Sequence, residues 1–334
     1  MTARVAINGF GRIGRGVLRA ILESGSELEV VAINDLTDAA TLAHLLKRDS
    51  LYGTLPYSVT IDGDDLLVGE RRIKIFAERE PKNLPWGELG VDAVLESTGF
   101  FTEAAAAQQH IDAGAKRVLV SAPSKGADLT IVVGVNDSLY DPEQHRIVSN
   151  ASCTTNALAP LAQVLDSLAG IEYGSMSTVH AYTQDQRLQD APHADLRRAR
   201  AAALNIVPTS TGAAKAIGLV LPQLDGKLSG SSLRVPVPVG SIVELHATVS
   251  REVTREQVLE AYRAAAAEGP LQGVLEYSEE PLVSTDIVGN AHSSIFDSEL
   301  THVDGKHVKV VAWYDNEWGF SSRATAALEL LAAG

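Results

Sequence analysis

Hydrophobic and polar positions follow two different rhythms along this chain. Over the first 150 residues, short β-rich apolar runs at residues 5–7, 30–33, 91–95, 118–120 and 131–133 alternate with stretches whose apolar positions recur at helical spacing. That alternation predicts a parallel, doubly wound sheet of the Rossmann type. Residues 57–61 and 72–76 alternate around Asp62-Gly63-Asp64, which predicts an inserted antiparallel excursion in place of another crossover unit. Past residue 153 the strands lengthen, at 173–182, 228–237, 242–249 and 308–313, with a helical pattern over 255–267. These predict a mainly antiparallel sheet backed by helices. The last residues, 322–333, are rich in Ala and Leu and predict a terminal helix. The fold class is α/β plus α+β. One domain is expected over 1–150, a second over 151–316, and a C-terminal helix over 317–334 packing on the first.

Composition narrows the field of partners. With 334 residues the chain exceeds a single core of usual size, in keeping with two domains. A formal charge of −14 argues against a nucleic-acid or anionic-membrane partner, so any phosphate site must be built locally. The single cysteine cannot form an internal disulfide. No basic segment leads into an apolar stretch near Met1, and no apolar run approaches a membrane span. A cytoplasmic location is therefore expected, with no metal site.

The first apolar run leads into Gly9, Gly11 and Gly14, spaced as Gly-x-Gly-x-x-Gly and followed by apolar positions at helical spacing over 13–22. Asp35 ends the next run, 21 residues beyond Gly14, where ribose recognition is expected. Such glycines let the backbone approach a pyrophosphate held on amide N–H groups at the helix N-terminus, with Arg12 and Ile13 in the contact zone. A glycine turn packing strand on helix without a ligand is the plainer reading of the same residues. Asp35 favours NAD over NADP, since a 2′-phosphate about 4 Å from a carboxylate is opposed by roughly 4 kcal/mol at a dielectric of about 20. A rotated carboxylate or a nearby cation would reverse that preference, which leaves NADP use open.

Cys153 lies in Ala151-Ser152-Cys153-Thr154-Thr155-Asn156 and precedes apolar positions at 157, 158, 161 and 165. Ser152, Thr154 and Thr155 are candidate caps, which places the thiol near a helix N-terminus, where the dipole would lower its pKa from about 8.5. Pro160 either kinks that helix or marks its first turn. Of nine histidines, His180 stands out because it ends a β-patterned run. Taken singly, a free cysteine is more often a small buried hydrophobe and such a histidine more often a structural one. A thiol nucleophile beside a dinucleotide points to covalent oxidation of a carbonyl.

Together these residues resemble the phosphorylating glyceraldehyde-3-phosphate dehydrogenase family along essentially the whole chain. The segments that carry the likeness are Asn8-Gly9-Phe10-Gly11-Arg12-Ile13-Gly14-Arg15, Asn34-Asp35-Leu36-Thr37-Asp38, Ser121-Ala122-Pro123, residues 151–156, 178–183 and 197–203, Pro208-Thr209-Ser210-Thr211-Gly212-Ala213-Ala214-Lys215, Arg234-Val235-Pro236 and Trp313-Tyr314-Asp315-Asn316-Glu317-Trp318-Gly319. The resemblance implies that Cys153 attacks the aldehyde carbon of D-glyceraldehyde 3-phosphate, with His180 withdrawing the hydroxyl proton. A thiohemiacetal and then a thioester follow, and inorganic phosphate releases 1,3-bisphosphoglycerate. It implies that Thr183 and Arg234, with Asp185 orienting Arg234, hold the substrate phosphate. Ser152, Thr154, Arg198, Thr211 and Gly212 would receive inorganic phosphate. Arg79, Thr98, Gly99 and Ser121 would line the adenine and ribose side, and Asn316 would fix the nicotinamide carboxamide. A homotetramer, in which the loop around 190–198 reaches a neighbouring subunit, is expected on the same ground.

The chain departs from the family pattern at Ala157, Arg48, Ala191, Ser231-Ser232 and Val239-Gly240-Ser241. The last two departures bear on the substrate-phosphate loop, and Ala191 bears on the strictness of NAD use. Two rival readings follow from the same fold: erythrose-4-phosphate dehydrogenase, which hydrolyses its thioester, and a catalytically silent binding module.

Overall fold

A computed structural model describes residues 2–334 and divides the chain into two compact units. The first runs to Ile131 and takes in Leu139–Ala151 and Ser321–Gly334; the second holds Val132–Ser138 and Ser152–Phe320.

The first unit contains β1 (Arg4–Asn8), α1 (Arg12–Ser24), β2 (Glu29–Asn34), α2 (Ala39–Lys47), β3 (Arg48–Asp49), β4 (Gly53–Thr54), β5 (Val59–Asp62), β6 (Asp65–Val68), β7 (Arg71–Phe76), β8 (Ala93–Glu96), α3 (Ala104–Asp112), β9 (Arg117–Val120), β10 (Leu129–Thr130) and β11 (Ile147–Ser149). Its sheet runs β10-β11-β9-β8-β1-β2-β7-β6-β5, parallel from β10 through β7. α1 buries Val17, Leu18, Ile21 and Leu22, one apolar stripe at helical spacing. Each such side chain removed from water contributes about 1.5–3 kcal/mol. Trp86 is fully buried among Val31, Val91, Val94 and Ala115.

Three details differ from the sequence pattern. Residues 72–76 are not confined to an antiparallel insertion: β7 pairs in parallel with β2 and belongs to the main sheet, while β6 folds back as the true antiparallel return. No strand covers 131–133, because the Asn136 side chain accepts the Val132 N–H at 2.8 Å and turns the chain, so β10 ends at Thr130. Contacts place Val132–Ser138 with the second unit, although the pattern groups them with the first 150 residues.

The second unit contains α4 (Cys153–Ala169), β12 (Ile171–Ala181), β13 (Val207–Thr209), α5 (Ala213–Val220), β14 (Leu228–Val235), β15 (Ser241–Val249), α6 (Arg255–Ala267), β16 (Leu275–Ser278), β17 (Ser294–Asp297), β18 (His302–Asp304) and β19 (His307–Tyr314). Its eight-stranded sheet is mainly antiparallel, with β12–β14 and β16–β17 as parallel pairs. α4 buries Leu158, Leu161 and Leu165. Tyr262 of α6 stacks on Phe296 at 4.0 Å and donates its hydroxyl to Leu161 O at 2.6 Å. Pro160 lies inside α4, leaving the helix to start at Cys153. The last helix, α7 (Trp318–Ala333), belongs to the first unit from Ser321 on, where Glu329 accepts from Ser26 Oγ at 2.5 Å.

Candidate active site

Cys153 is the first residue of α4, and Ser152 caps the helix by accepting the Thr155 N–H at 3.1 Å. Immediately before it, Ala151 is the only non-glycine among the described residues with positive φ, at 56°. Such a backbone costs an alanine about 1–2 kcal/mol and makes the sharp turn that presents the thiol. Sequence offers no sign of this turn.

Parallel register between β12 and β14 makes His180 and Arg234 cross-strand partners. His180 Nε2 stands 3.3 Å from Cys153 Sγ, while its Nδ1 lies 2.6 Å from the Ala181 carbonyl. A carbonyl only accepts, so Nδ1 carries the ring proton and Nε2 presents a lone pair to the thiol. Burial, reinforced by the Arg234 charge, lowers the His180 pKa from 6.5 to about 4. The imidazole is thus neutral near pH 7 and able to take a proton. Tyr314 packs edge-on against it at 5.9 Å and bridges Thr154 (2.9 Å) and Thr178 (2.8 Å) through its hydroxyl.

The thiol itself departs from expectation. Burial pushes its pKa up, against the opposing pull of Arg234 and of hydrogen bonding from Thr154. The helix N-terminus does not overcome desolvation of the charged sulfur. Both shifts favour the uncharged thiol and imidazole forms of the pair.

Around this pair the second unit gathers two arginines on one carboxylate. Arg234 donates to Thr183 Oγ1 at 2.5 Å, and the Thr183 hydroxyl in turn donates to Asp185. Asp185, expected to orient Arg234, stands 3.9 Å from it and makes its close ion pair with Arg198 at 2.7 Å. Arg198 also donates to Thr209 at 2.9 Å. Burial pushes the Asp185 carboxyl up, but the Thr183 hydroxyl and both guanidinium groups outweigh it and hold the pKa below the ordinary value. Ser152 and Thr211 spend their hydroxyls on local backbone caps, Thr211 accepting the Ala213 N–H at 3.1 Å beside Gly212 at the start of α5. Thr154 is tied to Tyr314. Thr209 and Tyr314 are parts of this cluster that the residue-by-residue reading left without a role, although both lie inside recognised segments.

Asn316 accepts from the Gly240 N–H (3.2 Å) and from Ser241 Oγ (3.0 Å), and Ser241 Oγ also accepts the Ala181 N–H at 3.0 Å. The departure at 239–241 has a local reason: Gly240 has φ 89°, and any Cβ there would collide with Ser284.

In the first unit the three glycines differ in kind. A Cβ on Gly9 would lie 2.6 Å from Thr98 N, and one on Gly14 would run into Gly9 O, so the protein's own packing requires both. A Cβ on Gly11 meets nothing within 4 Å. Gly11 also precedes α1 without any side-chain cap. No clash within the protein requires a glycine at that position. Asp35 accepts from Phe10 N–H (2.8 Å) and Thr37 N–H (2.9 Å), which fixes it beside the glycine turn. Arg12 pairs with Asp49 at 2.5 Å and lies over the Tyr52 ring. Thr98, Gly99 and Ser121 follow the C-terminal ends of β8 and β9, and Arg79 is exposed beyond β7. Next to these, Leu36 (55 % exposed), which lies in a segment that carries the likeness, and Phe100 (86 %), which the sequence reading did not select, are bare apolar surfaces.

A glycine-cradle Rossmann unit together with a unit carrying a cysteine–histidine pair and clustered arginines defines a nicotinamide-dependent oxidoreductase that works through a thiol. Residues 3–104 match the family described as glyceraldehyde 3-phosphate dehydrogenase, NAD binding domain, and residues 152–316 match the corresponding C-terminal domain. The chain is 72 % identical over 330 residues to a protein named glyceraldehyde-3-phosphate dehydrogenase from Kitasatospora aureofaciens, covering 99 % of each. It is 62 % identical to glyceraldehyde-3-phosphate dehydrogenase 2 of Streptomyces arenae (97 % of this chain, 96 % of the other) and 60 % identical to glyceraldehyde-3-phosphate dehydrogenase of Mycobacterium avium (99 % of each). The chain belongs to the glyceraldehyde-3-phosphate dehydrogenase family.

Proposed function

We propose that this protein oxidises D-glyceraldehyde 3-phosphate with NAD and captures the product with inorganic phosphate as 1,3-bisphosphoglycerate. The observation that carries this reading is the neutral His180 with its lone pair on the Cys153 thiol, beside Arg234. Nε2 takes the thiol proton as sulfur bonds to the aldehyde carbon, and the proton passes to the new oxyanion to give a thiohemiacetal. The developing charge on oxygen is stabilised by donors at the start of α4 and by the imidazolium. NAD, when bound, would supply the oxidising power as the hydride acceptor for the thiohemiacetal. His180 takes the hydroxyl proton in that step, leaving a thioester on Cys153. Phosphate then attacks the carbonyl carbon, the C–S bond breaks, and the thiolate is regenerated.

The glycine cradle, the Asp35 carboxylate and the uncapped start of α1 fit a dinucleotide, with Leu36 and Phe100 as apolar faces for its base and Arg79, Thr98, Gly99 and Ser121 nearby. Asn316 is the residue for the nicotinamide carboxamide. Arg234 with Thr183 would hold the substrate phosphate, and Arg198 with Thr209, Thr211 and Gly212 the attacking phosphate. Strongly exposed Leu188, Leu196, Leu204 and Ile206 in one segment support a further copy of this chain as partner, in keeping with a cytoplasmic homotetramer.

The test is cofactor reduction followed by absorbance at saturating glyceraldehyde 3-phosphate, with NAD or NADP and with or without phosphate. Phosphate-dependent reduction of NAD is the expected result. Equal rates without phosphate would favour the hydrolysing relative that takes erythrose 4-phosphate, a preference for NADP would mean that Asp35 does not set the choice, and no reduction would overturn the reading.

A further inference from the structure

Behind the cofactor-side loops of the first unit lies a buried polar chain centred on Glu96. Four donors converge on its carboxylate: Thr98 N–H (2.8 Å) and Thr98 hydroxyl (2.5 Å) on one oxygen, Asn8 Nδ2 (2.6 Å) and His110 Nε2 (2.9 Å) on the other. The histidine is a donor there because its Nδ1 accepts the Trp86 indole N–H at 3.0 Å. A neutral imidazole cannot do the reverse. The chain continues outward. Asn34 Nδ2 donates to Asn8 Oδ1 at 2.7 Å, and the Asn34 carboxamide clasps Glu78 through both its backbone N–H (2.8 Å) and its carbonyl (2.9 Å).

Each outward link adjoins a residue of the proposed cofactor site. Asn8 precedes Gly9, Asn34 precedes Asp35, Glu78 precedes Arg79, and Thr98 is itself a member. Three strand ends, those of β1, β2 and β8, are tied in one register here, with Asn8 opposite both Asn34 and Glu96. A buried carboxylate with neutral partners costs desolvation, and its negative charge does nothing to attract a pyrophosphate. What it uniquely supplies is four acceptor positions in a fixed plane. An amide of the same shape would set N–H against N–H on one side, releasing either Thr98 or the Asn8–His110 pair. Fully satisfied networks of this kind specify geometry.

We infer that Glu96 is a positioning residue for the dinucleotide, whose carboxylate holds the glycine turn, the Asp35 and Arg79 loops and Thr98 in the binding-competent arrangement. This rests on the dinucleotide reading of the first unit given above.

The experiment measures NAD affinity by calorimetry on the full-length protein and on Glu96→Gln, Asn34→Ser and His110→Gln, with the rate of Cys153 alkylation by iodoacetamide recorded in parallel. Glu96→Gln is expected to weaken NAD at least tenfold, about 1.4 kcal/mol, and Asn34→Ser several-fold. His110→Gln keeps a donor toward Glu96 and an acceptor toward Trp86, so its affinity stays within about twofold. Thiol alkylation, which reports the second unit, is unchanged throughout. A merely structural role would lower the melting temperature of all three variants while leaving NAD affinity unchanged, and that result overturns the inference. If Glu96→Gln does not fold, wild-type affinity in Asn34→Ser overturns it equally. Failure of the unmodified protein to bind NAD would instead overturn the dinucleotide reading, and this inference with it.

Discussion

The sulfur of Cys153 and Nε2 of His180 are 3.3 Å apart, and the imidazole is turned toward the thiol because its other nitrogen donates to the Ala181 carbonyl. The tautomer is thereby set by backbone, and neither partner needs to be charged at rest. The proposed base is therefore oriented by the fold itself.

Replacing either partner separates chemistry from binding. Cys153→Ser is expected to lower kcat by at least about 10³-fold, because a hydroxyl is a far weaker nucleophile than a thiolate. His180→Asn removes the base and is expected to cost about 10²- to 10⁴-fold. NAD affinity of both variants, measured by calorimetry, should match that of the unmodified protein. Turnover surviving in Cys153→Ser would remove the thioester from the mechanism.

Buried neutral His180 also links stability to pH. Its folded pKa of about 4 lies below the ordinary 6.5, so between these values the unfolded chain binds the extra proton. Its contribution is fully present above pH 6.5 and is lost as pH falls toward 4, to a limit of about 3 kcal/mol at about 1.4 kcal/mol per pH unit. Urea unfolding of the unmodified protein and of His180→Asn at pH 7.5 and pH 5 checks the sign. The unmodified protein should lose more stability on acidification than the variant.

The glycines of the cradle should respond differently to alanine. At Gly14 the added methyl meets backbone, with an overpacking cost of about 1–3 kcal/mol that appears as a lower melting temperature. At Gly11 it meets open space, so the melting temperature should hold while NAD affinity falls about tenfold or more. Unchanged NAD affinity in Gly11→Ala would mean that no ligand approaches there.

Asp185 holds Arg198 closely and Arg234 more distantly through Thr183. Asp185→Asn removes the charge that restrains both guanidinium groups. KM for phosphate is expected to rise several-fold, more than KM for the aldehyde, and steady-state kinetics with each substrate varied in turn would show the order. The opposite order would assign Asp185 chiefly to Arg234.

Sequence reading succeeded where structure is local and periodic. The β1–α1–β2 unit with its glycines and Asp35, a helix following Cys153 and the strand ending near His180 were legible from spacing, whereas Pro160 left the first residue of that helix open and only the structure sets it at Cys153. It failed where a competing local contact intervened. Asn136 diverts the chain at Val132, and β7 takes its place beside β2 although its alternation resembles a hairpin strand. It also missed the direction of the Cys153 pKa, since a helix N-terminus can be read from sequence and the desolvation of a sulfur cannot.

By itself the sequence determined the two domain textures, the glycine turn, the lone thiol and the choice of residues able to carry thiol and anion chemistry. These depend on patterns within a few turns or strands, and on motifs that survive as contiguous text. Only the tertiary structure decided that His180 faces Cys153 as a neutral acceptor, that Arg234 lies beside it across β12 and β14, and that Asp185 serves Arg198 more closely than Arg234. It alone drew Glu96, Asn8, Asn34 and His110 into one buried chain. Strand register and burial join residues that are far apart in sequence, and both a pKa and a hydrogen-bond partner are properties of that surrounding space.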